Sequence, residues 1–131
     1  MRDESAALVE HARAARRQAH APYSHFRVGA AVLDDKGQIH TGCNVENAAL
    51  PEGICAETNA IGSMVAAGGR KIVGIAIVGG AGQLENVTPC GGCRQRIREF
   101  ADADTEILLL RADGRVRGFT IDELLPESFH L

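Results

Sequence analysis

The chain has no tryptophan, and aromatic residues make up only 4% of it, so it lacks the stacking platform on which single-stranded nucleic acid is held. Nor is there a positive charge excess: the formal net charge of -3 offers no overall attraction to a phosphate backbone. No apolar run approaches the roughly 18 residues that cross a bilayer, and the opening Met1-Arg2-Asp3-Glu4-Ser5 lacks the apolar core of a signal peptide. Nucleic-acid and membrane partners are therefore not expected, and the expected location is the cytoplasm. Small-molecule chemistry becomes the leading class. Cysteine is scarce as well, at four residues, and in a reducing compartment four thiols point to metal ligands or reactive groups rather than a disulfide framework. What remains is ordinary: 45% hydrophobic and 24% charged residues over 131 positions, enough for one compact domain spanning residues 1–131 and too few for two.

The organising stretch is Pro89-Cys90-Gly91-Gly92-Cys93-Arg94, taken with Cys55-Ala56-Glu57 before it. Read as a helix from Cys90, the spacing puts Cys90, Cys93, Ile97 and Phe100 on one face, so both thiols are expected to point where core residues point. Arg94, Gln95, Arg96, Arg98 and Glu99 fill the solvent side. Two sulfurs one turn apart at a helix start are half of a tetrahedral zinc site, and a third from Cys55 leaves one position open, as in catalytic sites. Two helix N-termini aimed at three thiolates would supply N–H donors and positive dipole ends.

Taken in order, the chain predicts a helix capped by Asp3 or Ser5 and running to about His20, with Leu8, Ala12, Ala15 and Ala19 on one face. Ala21-Pro22-Tyr23-Ser24 breaks it. Two antiparallel strands follow, about 26–33 and 38–45, joined at Asp34-Asp35-Lys36-Gly37. Residues 46–54 carry no sustained period and read as a loop that delivers Cys55 to a second helix, which ends near Ala67 at Gly68-Gly69. Glu57, Ile61 and Met64 share one face of it, so Glu57 is aimed inward, where a carboxylate is costly to ionise and suited to holding and releasing a proton. Ile72–Val78 reads as a strand buried on both faces, 79–83 as a loop, Glu106–Leu110 as another buried strand and Val116–Phe119 as a short last one. A helical turn at Ile121–Leu125 stops at Pro126. This order gives a mixed sheet with helices packed on it, an α/β fold.

Three other readings of the cysteines stay open on these residues alone. All four could close a structural zinc module; Cys90 and Cys93 could be a thioredoxin-like redox pair; or the thiols could be unrelated small hydrophobes, as Cys43 in its alternating strand suggests. The joint pattern of Cys-x-Glu followed by Pro-Cys-x-x-Cys is the more specific.

Six segments then carry a resemblance: Ala21-Pro-Tyr-Ser-His-Phe26, Val28-Gly-Ala-Ala31, Gly42-Cys-Asn-Val-Glu-Asn-Ala48, Cys55-Ala-Glu57, Pro89-Cys-Gly-Gly-Cys-Arg-Gln95 and Leu124-Leu-Pro-Glu-Ser-Phe129. In order and spacing the chain resembles the small, homotetrameric, zinc-dependent cytidine deaminases of pyrimidine salvage. The resemblance implies a three-layer α/β/α sandwich around a five-stranded mixed sheet, and hydrolytic conversion of cytidine and 2'-deoxycytidine to the uridines plus ammonia. It implies one zinc per chain on Cys55, Cys90 and Cys93, with Glu57 as proton shuttle. Asn44 and Glu46 match positions that bond the sugar hydroxyls, Phe26 one that packs beside the nucleoside, Ala56 a backbone N–H on the pyrimidine edge, and Phe129 a ring stacked on the base from an adjoining subunit. By themselves Asn44 and Glu46 read as a strand-end turn pair and both phenylalanines as core packing.

Two positions depart from that pattern. Thr58 stands where many members carry an arginine that offsets the thiolate charge, and the compensation is expected instead from the helix N-termini and Arg94. Leu50 stands where a tyrosine is frequent near the sugar end, which implies a weaker hold on the 5'-hydroxyl and tolerance of modified nucleosides. The nearest alternative is a deaminase of an aminoacyl-nucleoside antibiotic of the blasticidin S type; the sugar-binding segment favours plain nucleosides.

Overall fold

The structure, a computed structural model, describes residues 3–131. Its centre is the strand the apolar run predicts. In β3 (Ile72–Gly80) Ile75 and Ile77 face one side and Ala76 and Val78 the other, all fully buried, as a period of two requires in a strand covered on both faces. Each isoleucine sealed in this way contributes about 1.5–3 kcal/mol relative to an exposed one. On one flank β3 pairs antiparallel with β1 (Arg27–Asp34), which pairs antiparallel with β2 (Ile39–Cys43). On the other it pairs parallel with β4 (Glu106–Leu110), itself antiparallel to β5 (Val116–Phe119). The order β2-β1-β3-β4-β5 is the five-stranded mixed sheet that was expected.

Helices cover both faces. Leu8, Val9 and Ala12 of α1 (Asp3–Arg16) pack with Ala31, Ala76, Val78 and Leu108 on one side. On the other, Ala60, Ile61 and Met64 of α2 (Ala56–Ala66) and Ile97 of α3 (Gly91–Phe100) pack with Val32, Ile75, Ile77 and Leu109. A parallel pair cannot be closed by a hairpin, so α3 is the crossover that joins β3 to β4. The short α4 (Ile121–Leu124) seals the end of this layer.

Local differences from the expected boundaries have physical reasons. α1 stops at Arg16 rather than near His20, because Arg17, Gln18 and Ala19 tighten into bonds to the carbonyls three residues back and His20 N–H then bonds to Asn44 O. Ser5 is buried inside the first turn rather than capping it, and capping by the Asp3 side chain lies outside what the structure describes. β3 runs on to Gly80, into the expected loop, because Arg27 and Val28 continue to pair with Gly80 and Gly79. In the 46–54 loop a single 3-10 turn forms at Leu50–Glu52, and Val45 and Ile54 exchange backbone hydrogen bonds of 2.9 Å. The loop therefore closes on itself just before Cys55. Gly42 lets β2 abut the first turns of α2: a Cβ there would stand 2.4 Å from the Ala60 nitrogen and 2.6 Å from the Ala56 oxygen.

Candidate functional site

Two helices begin with a cysteine at the same point in space. Cys55 is the extended N-cap of α2 and Cys90 the extended N-cap of α3, while Cys93 lies in the first turn of α3 and is fully buried. The three Sγ atoms lie within 4.8 Å of one another. Cys43 is not among them, so the described residues form no closed four-cysteine site, and the inclusion of Cys55 goes beyond a Cys90–Cys93 redox pair. One expectation is corrected: Cys90 is exposed, not on the core face. The helix starts one residue later than the periodicity assumed, and an N-cap residue is outside the 3.6-residue repeat.

The sulfurs differ in their surroundings. The Cys93 backbone N–H draws the Cys90 thiol below its usual value against a smaller effect of burial. Burial pushes Cys55 and Cys93 up, and the charges of Glu57 and the neighbouring thiols add to the rise. A dication among them is the charge that favours three thiolates. Soft donors confined to this distance suit a tetrahedral zinc, whose bonds of about 2.3 Å hold sulfurs about 3.8 Å apart. The donor set fits one zinc per chain, held by Cys55, Cys90 and Cys93.

Glu57 follows two residues after Cys55, in the first turn of α2, and is 5% exposed, aimed inward as its spacing with Ile61 and Met64 predicts. Burial raises its pKa, opposed by its own N–H, the Cys93 thiol and the positive field of Arg96. Ala56, fully buried beside it, begins α2, so its N–H has no intrahelical partner.

The residues expected to hold a sugar form a second group. Asn44 Oδ1 accepts from Val28 N at 2.8 Å and its Nδ2 donates to Phe26 O at 2.8 Å, clamping the loop to the start of β1. One amide hydrogen and one lone pair are left over. Glu46 Oε1 accepts the N–H groups of Tyr23 and Ser24 at 2.9 and 3.2 Å, and Oε2 accepts the Ser24 hydroxyl. That hydroxyl lowers the Glu46 pKa most; burial works against it, and the two amides and His20 help it. Between them His25 adopts φ 60, an uncommon conformation outside glycine, and Phe26 beyond it is half-buried. Phe129 is 68% exposed, far from a core position.

Arg94, expected to offset the thiolate charge, commits donors to backbone carbonyls. Its Nε donates to Pro89 O and its Nη1 to Leu124 O, both at 2.7 Å, so it ties the start of α3 to the end of α4. Besides Glu57 and the other two thiols, Cys93 Sγ has Arg96 beside it, with Nη1 at 3.9 Å, and Thr58, with Oγ1 at 3.7 Å. The missed signal is the three-residue spacing of Cys93 and Arg96, which places them one above the other on a helix, whereas Arg94 points about a quarter-turn away. Gln95 and Arg98, read as solvent side chains, instead tether the tail through Phe129 O and Ser128 Oγ.

Comparison with known proteins matches residues 2–109 to a family model described as the cytidine and deoxycytidylate deaminase zinc-binding region. The cytidine deaminase of Halalkalibacterium halodurans is 41% identical over 122 residues, covering 93% of this chain and 91% of its own. Among solved structures, the cytidine deaminase from Burkholderia pseudomallei superimposes with a TM-score of 0.87 at 42% identity, over 98% of this chain and all of the other. That from Mycobacterium tuberculosis gives 0.83 at 35% identity over the whole of both chains.

Proposed function

This chain belongs to the cytidine and deoxycytidylate deaminase zinc-binding family, and we propose that it is a cytidine deaminase, releasing ammonia from cytidine and 2'-deoxycytidine in pyrimidine salvage. The observation that carries the reading is the three-sulfur cluster at two helix N-termini with a buried glutamate two residues from one sulfur. Bound zinc supplies Lewis acidity that makes water a nucleophile near neutral pH. Glu57 is then the proton carrier: it takes a proton from the attacking water and delivers it to ring N3 so that C4 becomes electrophilic, then takes the proton of the hydroxyl added at C4 and passes it to the amine, which leaves as ammonia while C4 becomes a carbonyl. Its low-dielectric position lets one carboxyl serve both as base and as acid. The Ala56 N–H and Glu57 hold the polar edge of the pyrimidine, and the free valences of Asn44 and Glu46 hold the ribose hydroxyls. Phe26 packs against the nucleoside.

Exposed Tyr23, Val45, Leu50 and Ile54 sit on loop segments bonded to one another, and Phe129 is exposed on the tethered tail. These features support a homotetramer in which Phe129 of a neighbouring copy stacks on the base. Leu50 lacks a hydroxyl to offer the 5'-position, which supports tolerance of altered sugars. The reading is one domain acting in the cytoplasm.

The test follows the absorbance change from cytidine to uridine with zinc content measured and Glu57→Ala as control. Turnover at about one zinc per chain, lost in the variant with metal retained, is the expected result. A zinc-loaded but inert parent would turn the search to antibiotic aminoacyl-nucleosides. Sedimentation of Phe129→Ala against the parent separates assembly from stacking. A normal tetramer with a raised KM supports the shared site; unchanged kinetics count against it.

A further inference from the structure

We infer that Arg96 is the cationic partner of the thiolate centre, a positioning residue that lies against Cys93 and neutralises charge that α2 does not; the inference rests on the zinc-deaminase reading. Three thiolates around a dication leave one negative charge, and an ionised Glu57 adds a second. The N-termini of α2 and α3 each offset roughly half a unit. About one positive charge is still needed, and of the α2 side chains at the same sulfur Glu57 adds negative charge and Thr58 has only a hydroxyl to give.

Arg96 is the arginine of α3 placed to supply it. Arg94 is spent on Pro89 O and Leu124 O, and Arg98 on Ser128 Oγ and Ala101 O. Arg96 Nη1 donates to Cys93 Sγ at 3.9 Å, and among the described residues it enters no ion pair with a carboxylate. The backbone is shaped for it. A Cβ on Gly92 would stand 3.1 Å from Nη1 and 3.9 Å from Cζ, so glycine in the first turn leaves the guanidinium room to fold back toward the sulfur. A groove of about 430 Å³ between α2 and α3, lined by Thr58, Gly62 and Arg96 among others, also leaves space for a longer side chain to reach the same sulfur from α2.

The experiment is a competition for zinc between the full chain and a chromophoric chelator of known affinity, without substrate. Arg96→Gln should lose about tenfold or more in zinc affinity, the range found when partners of metal ligands are removed. Arg96→Lys should recover part of the loss. Thr58→Arg in the Arg96→Gln background should recover it from the other helix. Arg115→Gln, the same change of net charge on an exposed turn, should bind as the parent does. An Arg96→Gln affinity within about twofold of the parent overturns the inference, as does a loss that neither Arg96→Lys nor Thr58→Arg repairs, since that marks packing rather than charge. The readout is metal affinity, so inactivity of the zinc-loaded parent on cytidine counts against the substrate and not against Arg96, whereas a parent that takes up no zinc overturns both.

Discussion

Two carboxylates are buried among the described residues, Asp34 at the end of β1 and Glu57 in the first turn of α2, and their exposures are nearly equal at 2% and 5%. Their acidities move in opposite directions. Burial by itself would raise Asp34, but the His40 ring, with Nε2 at 2.8 Å, and the N–H groups of Gln38 and Lys36, each at 2.9 Å, outweigh it and hold the carboxyl below the usual range. Around Glu57 burial wins over its own N–H, the Cys93 thiol and the field of Arg96, which together are weaker company for a carboxylate. Burial sets the cost of a charge; the donors around it decide whether that cost is met. The hairpin meets it and gains a rigid corner. The helix start leaves it unmet and keeps a group able to carry a proton.

The sharpest way to test the contrast is to neutralise each carboxylate without changing its shape. Glu57→Gln removes the proposed proton carrier, and kcat on cytidine should fall by about 10⁴ with zinc retained, the upper range for acid–base groups. Its Tm should not fall, since the variant no longer buries an unmet charge. A kcat within about tenfold of the parent would break the assignment. Asp34→Asn should do the reverse, leaving kcat nearly intact while costing about 2 kcal/mol of stability, roughly 6–10 °C in Tm, because charge-assisted bonds are lost from a site sealed from water. Thermal unfolding of the zinc-loaded chain measures it, and an unchanged Tm would mean that the corner is held by backbone pairing alone.

Only one of this pair was legible in the sequence. The spacing of Glu57 with Ile61 and Met64 announces a carboxylate on a buried face, just as the apolar run at 72–78 announces the central strand. Asp34-Asp35-Lys36-Gly37 reads as a polar, solvated turn, and nothing local says that Asp34 caps the turn from inside while His40 closes over it. Arg94 and Arg96 are a different case, because the signal was present and passed over: residue type nominated Arg94, whereas the three-residue spacing of Cys93 and Arg96 sets the latter over the sulfur once the stretch is a helix. The box that caps α4, Thr120 with Glu123, is a spacing the sequence carries and the reading of a bare helical turn at Ile121–Leu125 passed over.

A third carboxylate sharpens the comparison by placing Asp34-like company at the proposed sugar-binding position. Glu46 is held low by the Ser24 hydroxyl and by two backbone amides, yet it lies on a loop and is only half-buried. If it binds ribose in the ground and transition states alike, Glu46→Gln should raise KM for cytidine about tenfold to thirtyfold with kcat little changed, as expected for the loss of charge-assisted bonds that do not strengthen during reaction. A fall in kcat equal to the fall in kcat/KM would instead place Glu46 with Glu57, as a group that acts in the transition state.

The smallest effect separates the role of charge at Asp34 from that of shape. Its folded pKa lies below the unfolded value of about 3.9, so its ionised form stabilises the fold above that value, and the contribution is lost as pH falls through the folded pKa. The stability difference between the parent and Asp34→Asn should therefore shrink below about pH 4, where protonation makes the parent carboxyl as neutral as the amide. Denaturant midpoints of both proteins on either side of that pH give the difference directly. A difference that stays constant into acid would mean that the substituted amide fails for its geometry, turned the wrong way toward His40, and the contrast with Glu57 would then be one of fit rather than of charge.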